Sequence, residues 1–201
     1  MSLKNVKTSL DKISTSLSST QESREFLIKN TREVVILCSQ SIIAVHKSDL
    51  KSAKAKAKKA KSLLNSQKKK AAGELRRYII TPEQELVEAF SLIAVTEGKP
   101  IPSINSLKVS PESYILGLLD CIGELKRLIY DRIRADKAEE AQRIFEIMGE
   151  LYQYLYPFAT FDKIVKEARR KLDVDRILVE DARAALTEEI RRAALIKAMS
   201  K

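Results

Sequence analysis

The chain has no tryptophan, one histidine, two cysteines, five glycines and five prolines in 201 residues. Each scarcity excludes something. A lone His46 with two distant cysteines, Cys38 and Cys121, cannot furnish an ordinary zinc site. Two cysteines suit a reducing cytosol better than a disulfide scaffold, so a cytoplasmic location is expected. Few Gly and Pro, with 44% apolar and 32% charged residues, exclude collagen-like, proline-rich and disordered chains. No apolar run approaches the ~20 residues that span a bilayer, and no membrane partner is expected. The opening MSLKNVKTSLDKISTSLSST alternates apolar and polar residues, without the apolar core of a secretory leader. What remains is rich in Ala, Leu, Lys, Glu and Arg. It predicts an all-α, multi-helix bundle, and the length suits one domain.

Residues 1–20 read as a polar, Ser-rich helical lead-in to a helical domain over 21–201. A helix is expected from Glu22 to Lys47, with Leu27, Val34, Cys38, Ile42 and Val45 at three-to-four spacing. Ser48 looks like the N-cap of a second helix running to Gln67. A third begins near Ala71, with a start or kink at the capping-box pattern Thr81-Pro82-Glu83-Gln84. Glu97–Ser110, with Gly98, Pro100 and Pro102, reads as one long loop. Ser110-Pro111 opens a helix to Arg134, Asp136 caps another that ends before Pro157, and the last runs from about Phe161.

The net charge of +10 is concentrated. Twelve basic residues and two acids lie between His46 and Arg77, so that window carries the whole excess and the rest of the chain is neutral. Such a block calls for a polyanion. Lys51, Lys54, Lys58 and Lys61 share one helix face, and Arg76 and Arg77 follow. These six are the candidate nucleic-acid contacts; a merely solvated face is the alternative. An anionic membrane is a poorer fit, because the apolar face of that helix is chiefly alanine.

Two helices are apolar nearly all round, as buried helices are. Between Glu85 and Val95 the only charges are Glu85 and Glu88; between Tyr114 and Leu125 they are Asp120 and Glu124. Three- and four-residue spacing puts each pair on one helix face. If the helices form an antiparallel hairpin around the loop, both pairs fall at similar depth, about 12 to 20 Å from it. Buried carboxylates need cations. Four oxygen donors suit Mg²⁺ or Mn²⁺, and ion pairs with Arg76, Arg77, Lys126 or Arg127 would serve as well. Both readings stand on the residues alone. In the metal reading, Asp120→Asn should leave the metal-free fold intact or stabilise it. Tyr152, Tyr154, Tyr156, Phe158 and Phe161 read as core or subunit interface, with base stacking as the alternative. His46 reads as a helix-end residue and Cys121 as a small buried side chain.

The run Gln84-Glu85-Leu86-Val87-Glu88-Ala89, followed by Tyr114 to Leu125, resembles the translin family, closest to its translin-associated factor X branch. Arg24–His46 is similar to that family's first helix and Arg170–Arg183 to its last. The resemblance implies a translin-type helical subunit whose Glu85, Glu88, Asp120 and Glu124 are the catalytic, metal-binding set of a Mg²⁺- or Mn²⁺-dependent endoribonuclease for single-stranded RNA. It further implies a hollow, roughly octameric homo-oligomer that binds RNA or single-stranded DNA inside. A non-catalytic single-stranded RNA- or DNA-binding shell is the other functional reading. Enclosure would admit flexible single strands and exclude stiff duplex.

Overall fold

The computed structural model describes residues 3–200, and every regular element among them is helical. Seven α-helices are α1 (Lys4–His46), α2 (Leu50–Gln67), α3 (Ile80–Glu97), the single turn α4 (Ile104–Leu107), α5 (Pro111–Arg134), α6 (Ala138–Leu155) and α7 (Ala168–Met199). Short 3₁₀ segments cover Lys68–Lys70, Gly73–Tyr78 and Tyr156–Phe161.

The expected lead-in is no separate piece: α1 is continuous for 43 residues. Its inward stripe keeps one alternating three–four register, Leu27, Thr31, Val34, Cys38, Ser41 and Val45, all buried. The same register continues backwards through Leu17, Ile13, Leu10, Val6 and Leu3, which are exposed because nothing in the subunit covers them. α2 turns back along α1. Its narrow stripe Ala53, Ala57, Ala60 and Leu64 lets the two backbones approach, and Ser41 donates to the Ala53 carbonyl across the seam at 2.8 Å.

Several expected helix ends move. Ser48 has φ +60°, and Asp49 caps α2 by accepting from the Ser52 amide. Thr81 does not cap α3, which starts at Ile80 without a side-chain cap. Tertiary bonds fix that end instead: Glu83, 1% exposed, pairs with Lys68 at 2.8 Å and accepts from the Ser110 amide at 2.9 Å. Burial pushes the Glu83 carboxyl up, but Lys68 and Ser110 outweigh it and hold it below its ordinary value. Asp136 likewise sits at φ +57° and caps nothing, whereas Ser110 caps α5 as expected. α7 starts at Ala168, later than expected, after the 3₁₀ turns around Pro157.

The connection between α3 and α5 overturns the antiparallel hairpin. Lys54 reaches Glu97, Lys61 the Ser106 carbonyl and Lys68 the Lys108 carbonyl. The 98–110 segment therefore runs back along α2 to the start of α3. There Ser113 donates to the Ile80 carbonyl at 3.2 Å. At the far end Arg143, on the helix after α5, donates to the Val95 carbonyl at 3.0 Å. The helices α3 and α5 thus run in the same direction. The two pairs still fall at a similar level because Glu88 lies midway along α3, so reversing the helix hardly changes its height.

Candidate metal centre and its surroundings

The close approach of α3 and α5 sets the site. A Cβ on Gly117 would stand 2.4 Å from the Gln84 carbonyl oxygen and 2.7 Å from Val87 Cβ. Only glycine permits this contact. One turn further along α5 comes Asp120, and one turn beyond it Glu124. The structure brings all four predicted acids into one electrostatic neighbourhood, in two different conditions.

Asp120 and Glu124 are already partnered. Lys171, from the first turn of α7, pairs with one Asp120 oxygen, and the Gln84 amide donates to the other. Glu124 meets His46, the last residue of α1: Nε2 lies 2.6 Å from Glu124 Oε2, and Nδ1 lies 2.7 Å from Asp131 Oδ2. Asp131 is two turns along α5 from Glu124, so one imidazole bridges two carboxylates on a single face. Its own side chain is only 5% exposed. The Glu124 oxygen Oε2 is held by His46, with Arg127 at 3.7 Å, and Oε1 is left free.

Glu85 and Glu88 make no hydrogen bond or ion pair among the described residues. Burial pushes the Glu88 carboxyl up to about 8, and repulsion from Glu85, Asp120 and Glu124 adds to it. Glu85 is raised for the same reasons, with Lys171 pulling the other way. The two cysteines mark the walls. Burial drives Cys38 on α1 up to about 12, helped by Glu85 and Glu88. Cys121 on α5 is also raised, chiefly by burial. Both thiols are therefore protonated packing groups. Among the described residues no three acid, histidine or cysteine side chains stand together at ligating distance. The four acids share a field without closing on a common point, because Lys171 and His46 draw two of them aside.

Three neighbours escaped the sequence reading. Lys171 carries no local signal in a polar first turn, and nothing in the sequence marks His46 as more than a helix end. Asp175 did have one. It occupies a position in the alternating stripe Ala168, Leu172, Asp175, Val179, Ala182, Leu186, whose other members are apolar and buried. It lies 5% exposed beside Lys171 and Asp120 in a cleft of about 230 Å³.

The basic block divides. Lys51 and Lys58 are exposed, and Lys54 and Lys61 lie against the crossover, tied to Glu97 and Ser106. Arg76 is exposed. Arg77 stacks on Tyr78 at 5.1 Å, and Arg24, 5.9 Å from the same ring, donates to the Tyr78 hydroxyl at 2.9 Å. The aromatic cluster divides: Tyr152 and Phe158 pack half-buried against the core, whereas Tyr154, Tyr156 and Phe161 are 74%, 61% and 49% exposed.

Residues 22–180 match the model of the Translin family. The chain is 36% identical over 166 residues to the uncharacterized protein MJ0175 of Methanocaldococcus jannaschii, covering 78% of this chain and 72% of that one. Among solved structures, AfC3PO in complex with duplex RNA superposes with TM-score 0.79 at 27% identity, covering 96% of this chain and 98% of that chain. AfC3PO itself gives 0.78 at 28% over the same shares. Apo-NeC3PO, at 21% identity and TM-score 0.78, covers 90% of this chain and 96% of that one and shares the fold.

Proposed function

From a chain that belongs to the Translin family, we propose a divalent-cation-dependent endoribonuclease of the translin-associated factor X type, acting on single-stranded RNA within a homo-oligomeric shell. The observation that carries this reading is the pair Glu85 and Glu88. Two carboxylates, one half-buried and one buried, stand in the field of two more acids, with no cation, amide or hydroxyl among the described residues bound to either. Structural ion pairing would have supplied them with partners, as Lys68 does for Glu83.

The residues fit Mg²⁺ or Mn²⁺. The donors are all carboxylate oxygens, and neither thiol is disposed to ionise. Glu85, Glu88, Asp120 and Glu124 would hold the ion. A divalent cation there supplies stabilisation of negative charge on a phosphoryl oxygen. The chain's own side chains do the rest. His46 turns Glu124 so that Oε1 points free, and Gln84 orients Asp120. Lys171 and Arg170, at the cleft beside Asp120, offer positive charge to the RNA backbone. Glu88, whose proton affinity lies near neutrality, is positioned to hold a proton until the site is charged.

The shell is supported by surface the subunit leaves bare: Leu3, Val6, Leu10, Ile13 and Leu17 on α1, Ile177 and Ile190 on α7, and the exposed tyrosines. The partner side is supported by the lysine block and by a neighbour solved with duplex RNA. That neighbour also makes duplex a required substrate in any test of strand preference.

A second reading is favoured by one observation. Asp120 and Glu124 already have partners within the chain, Lys171 and His46, as befits a nucleic-acid-binding shell that cuts nothing. Incubating end-labelled single-stranded and duplex RNA with the protein, in EDTA and in Mn²⁺, separates the two. The nuclease reading expects Mn²⁺-dependent cuts in the single strand that Glu88→Ala abolishes. Binding without cleavage in either metal condition selects the shell.

A further inference from the structure

Asp175 poses a problem that the four acids do not explain. It sits in the inward stripe of α7, where every other member is apolar, and its Oδ2 is buried without any hydrogen-bond partner. A buried polar oxygen with no partner is costly and rare in folded proteins. Asparagine, leucine or valine would fill the position more cheaply, so the carboxylate calls for a reason.

Its neighbour supplies one. Lys171 lies four residues earlier on α7, one turn away on the same face, the spacing at which a lysine and an acid pair on a helix. In the structure Lys171 does not use Asp175; it is spent on Asp120. Both acids and the lysine line one cleft. Lysine has a flexible four-carbon stem and a compact ammonium, which makes it suited to exchanging partners within reach of one Cα. Asp120 cannot keep Lys171 and also accept a doubly charged ion, because the ammonium would then be repelled across a short distance.

We infer that Asp175 is the second station of Lys171: when a divalent cation takes Asp120, the ammonium moves along α7 onto the Asp175 carboxylate. This rests on the metal reading above and deepens it. Lys171 holds the charge of the empty site, and Asp175 keeps that lysine from obstructing the loaded one. Asp175 is a positioning residue, acting through Lys171 without touching the ion. The exchange also leaves the positive charge in the cleft, beside Arg170, where an RNA backbone would meet it.

A double-mutant cycle on Mn²⁺ affinity tests the exchange, by calorimetry on the full chain at pH 8, above the value of about 7 to which burial lifts Asp175. Asp175→Asn should weaken Mn²⁺ binding about tenfold, the lower end of what outer residues contribute to a metal site. Asp175→Glu should restore it, since a carboxylate returns to the station. Lys171→Met should bind Mn²⁺ at least as tightly as wild type, because the resident competitor is gone. Adding Asp175→Asn to Lys171→Met should then change nothing. The inference is overturned if Asp175→Asn costs the same with and without Lys171, which would make it a ligand or a plain field effect, or if it costs nothing in wild type. Wild-type protein that binds no Mn²⁺ at all takes down the metal reading itself, a different result from either. Metal-free melting of each variant shows that it is folded, and Asp175→Leu, which removes the carboxylate and suits the apolar stripe, takes the same place in the cycle should the asparagine variant fail to fold.

Discussion

At the scale of single residues, the site contains acids held on opposite terms, and their substitutions should differ in sign. An acid lifted above its unfolded value keeps its proton in the native state after the unfolded chain has lost it, so stability declines as pH rises between the two values. For Glu88 that window runs from about 4.5 to about 8. Without metal, Glu88→Gln should exceed wild type by up to about 5 kcal/mol at pH 9 and converge with it below pH 4.5, as followed by urea unfolding. Asp120→Asn should behave otherwise. Lys171 and Gln84 already satisfy that carboxylate, which argues against the expectation that the metal-free fold is left intact or stabilised. Neutralising it strands the lysine, and stability should fall. His46→Ala is the harsher change, since it leaves Glu124 and Asp131 facing each other without the imidazole that bridges them. A loss of about 2 kcal/mol is expected, in the range for hydrogen bonds to charged groups, and chemical denaturation would register it.

At the scale of elements, the close approach of α3 and α5 sets the site. Gly117→Ala places a methyl 2.4 Å from a backbone carbonyl that cannot swing aside. It should cost about 1–3 kcal/mol as overpacking does, and should separate Gln84 from Asp120. Gly123→Ala is the control: its Cβ would meet only Leu178 Cδ1 at 3.8 Å, and gaining a better helix former should raise the melting temperature slightly. Removing residues 1–20 tests the other end of the fold. No residue before Leu27 on α1 is fully buried within the subunit, so the truncated chain should keep its helical fold but lose the contacts of the bare α1 stripe, read as a smaller species in light scattering.

Helix content, and α5 from Pro111 to Arg134, were legible because local signals and burial agree there: a serine cap, a proline in the first turn, and an apolar run. The direction of α3 relative to α5 was not. The 98–110 crossover is held by lysines of α2, contacts that no pattern within the segment announces. The acids could be found because charges stand out on otherwise apolar helices. Their partners could not, because Lys171 and His46 arrive from distant helices on which a basic residue is unremarkable. Asp175 was visible in principle, as the one charge on an apolar stripe.

At the scale of the molecule, the +10 charge in one window does not act as one surface. Lys51 and Lys58 are free to meet phosphate, whereas Lys54 and Lys61 fasten the crossover. Lys51→Gln with Lys58→Gln should reduce the slope of log affinity against log salt for a single-stranded RNA by roughly 1.4, two contacts at about 0.7 each. Lys54→Gln with Lys61→Gln should lower stability more than it changes the slope. Titrations at several salt concentrations would tell the pairs apart, and equal slopes for both variants would contradict the division. The central claim is narrower than binding: four carboxylates on α3 and α5 form one divalent-cation site. Crystals soaked in millimolar Mn²⁺ and measured at the manganese absorption edge test it most directly. The account predicts an anomalous peak within ligating distance of Glu85, Glu88, Asp120 and Glu124, with Lys171 moved off Asp120. A well-ordered map with no peak there, and Lys171 still paired with Asp120, would contradict it.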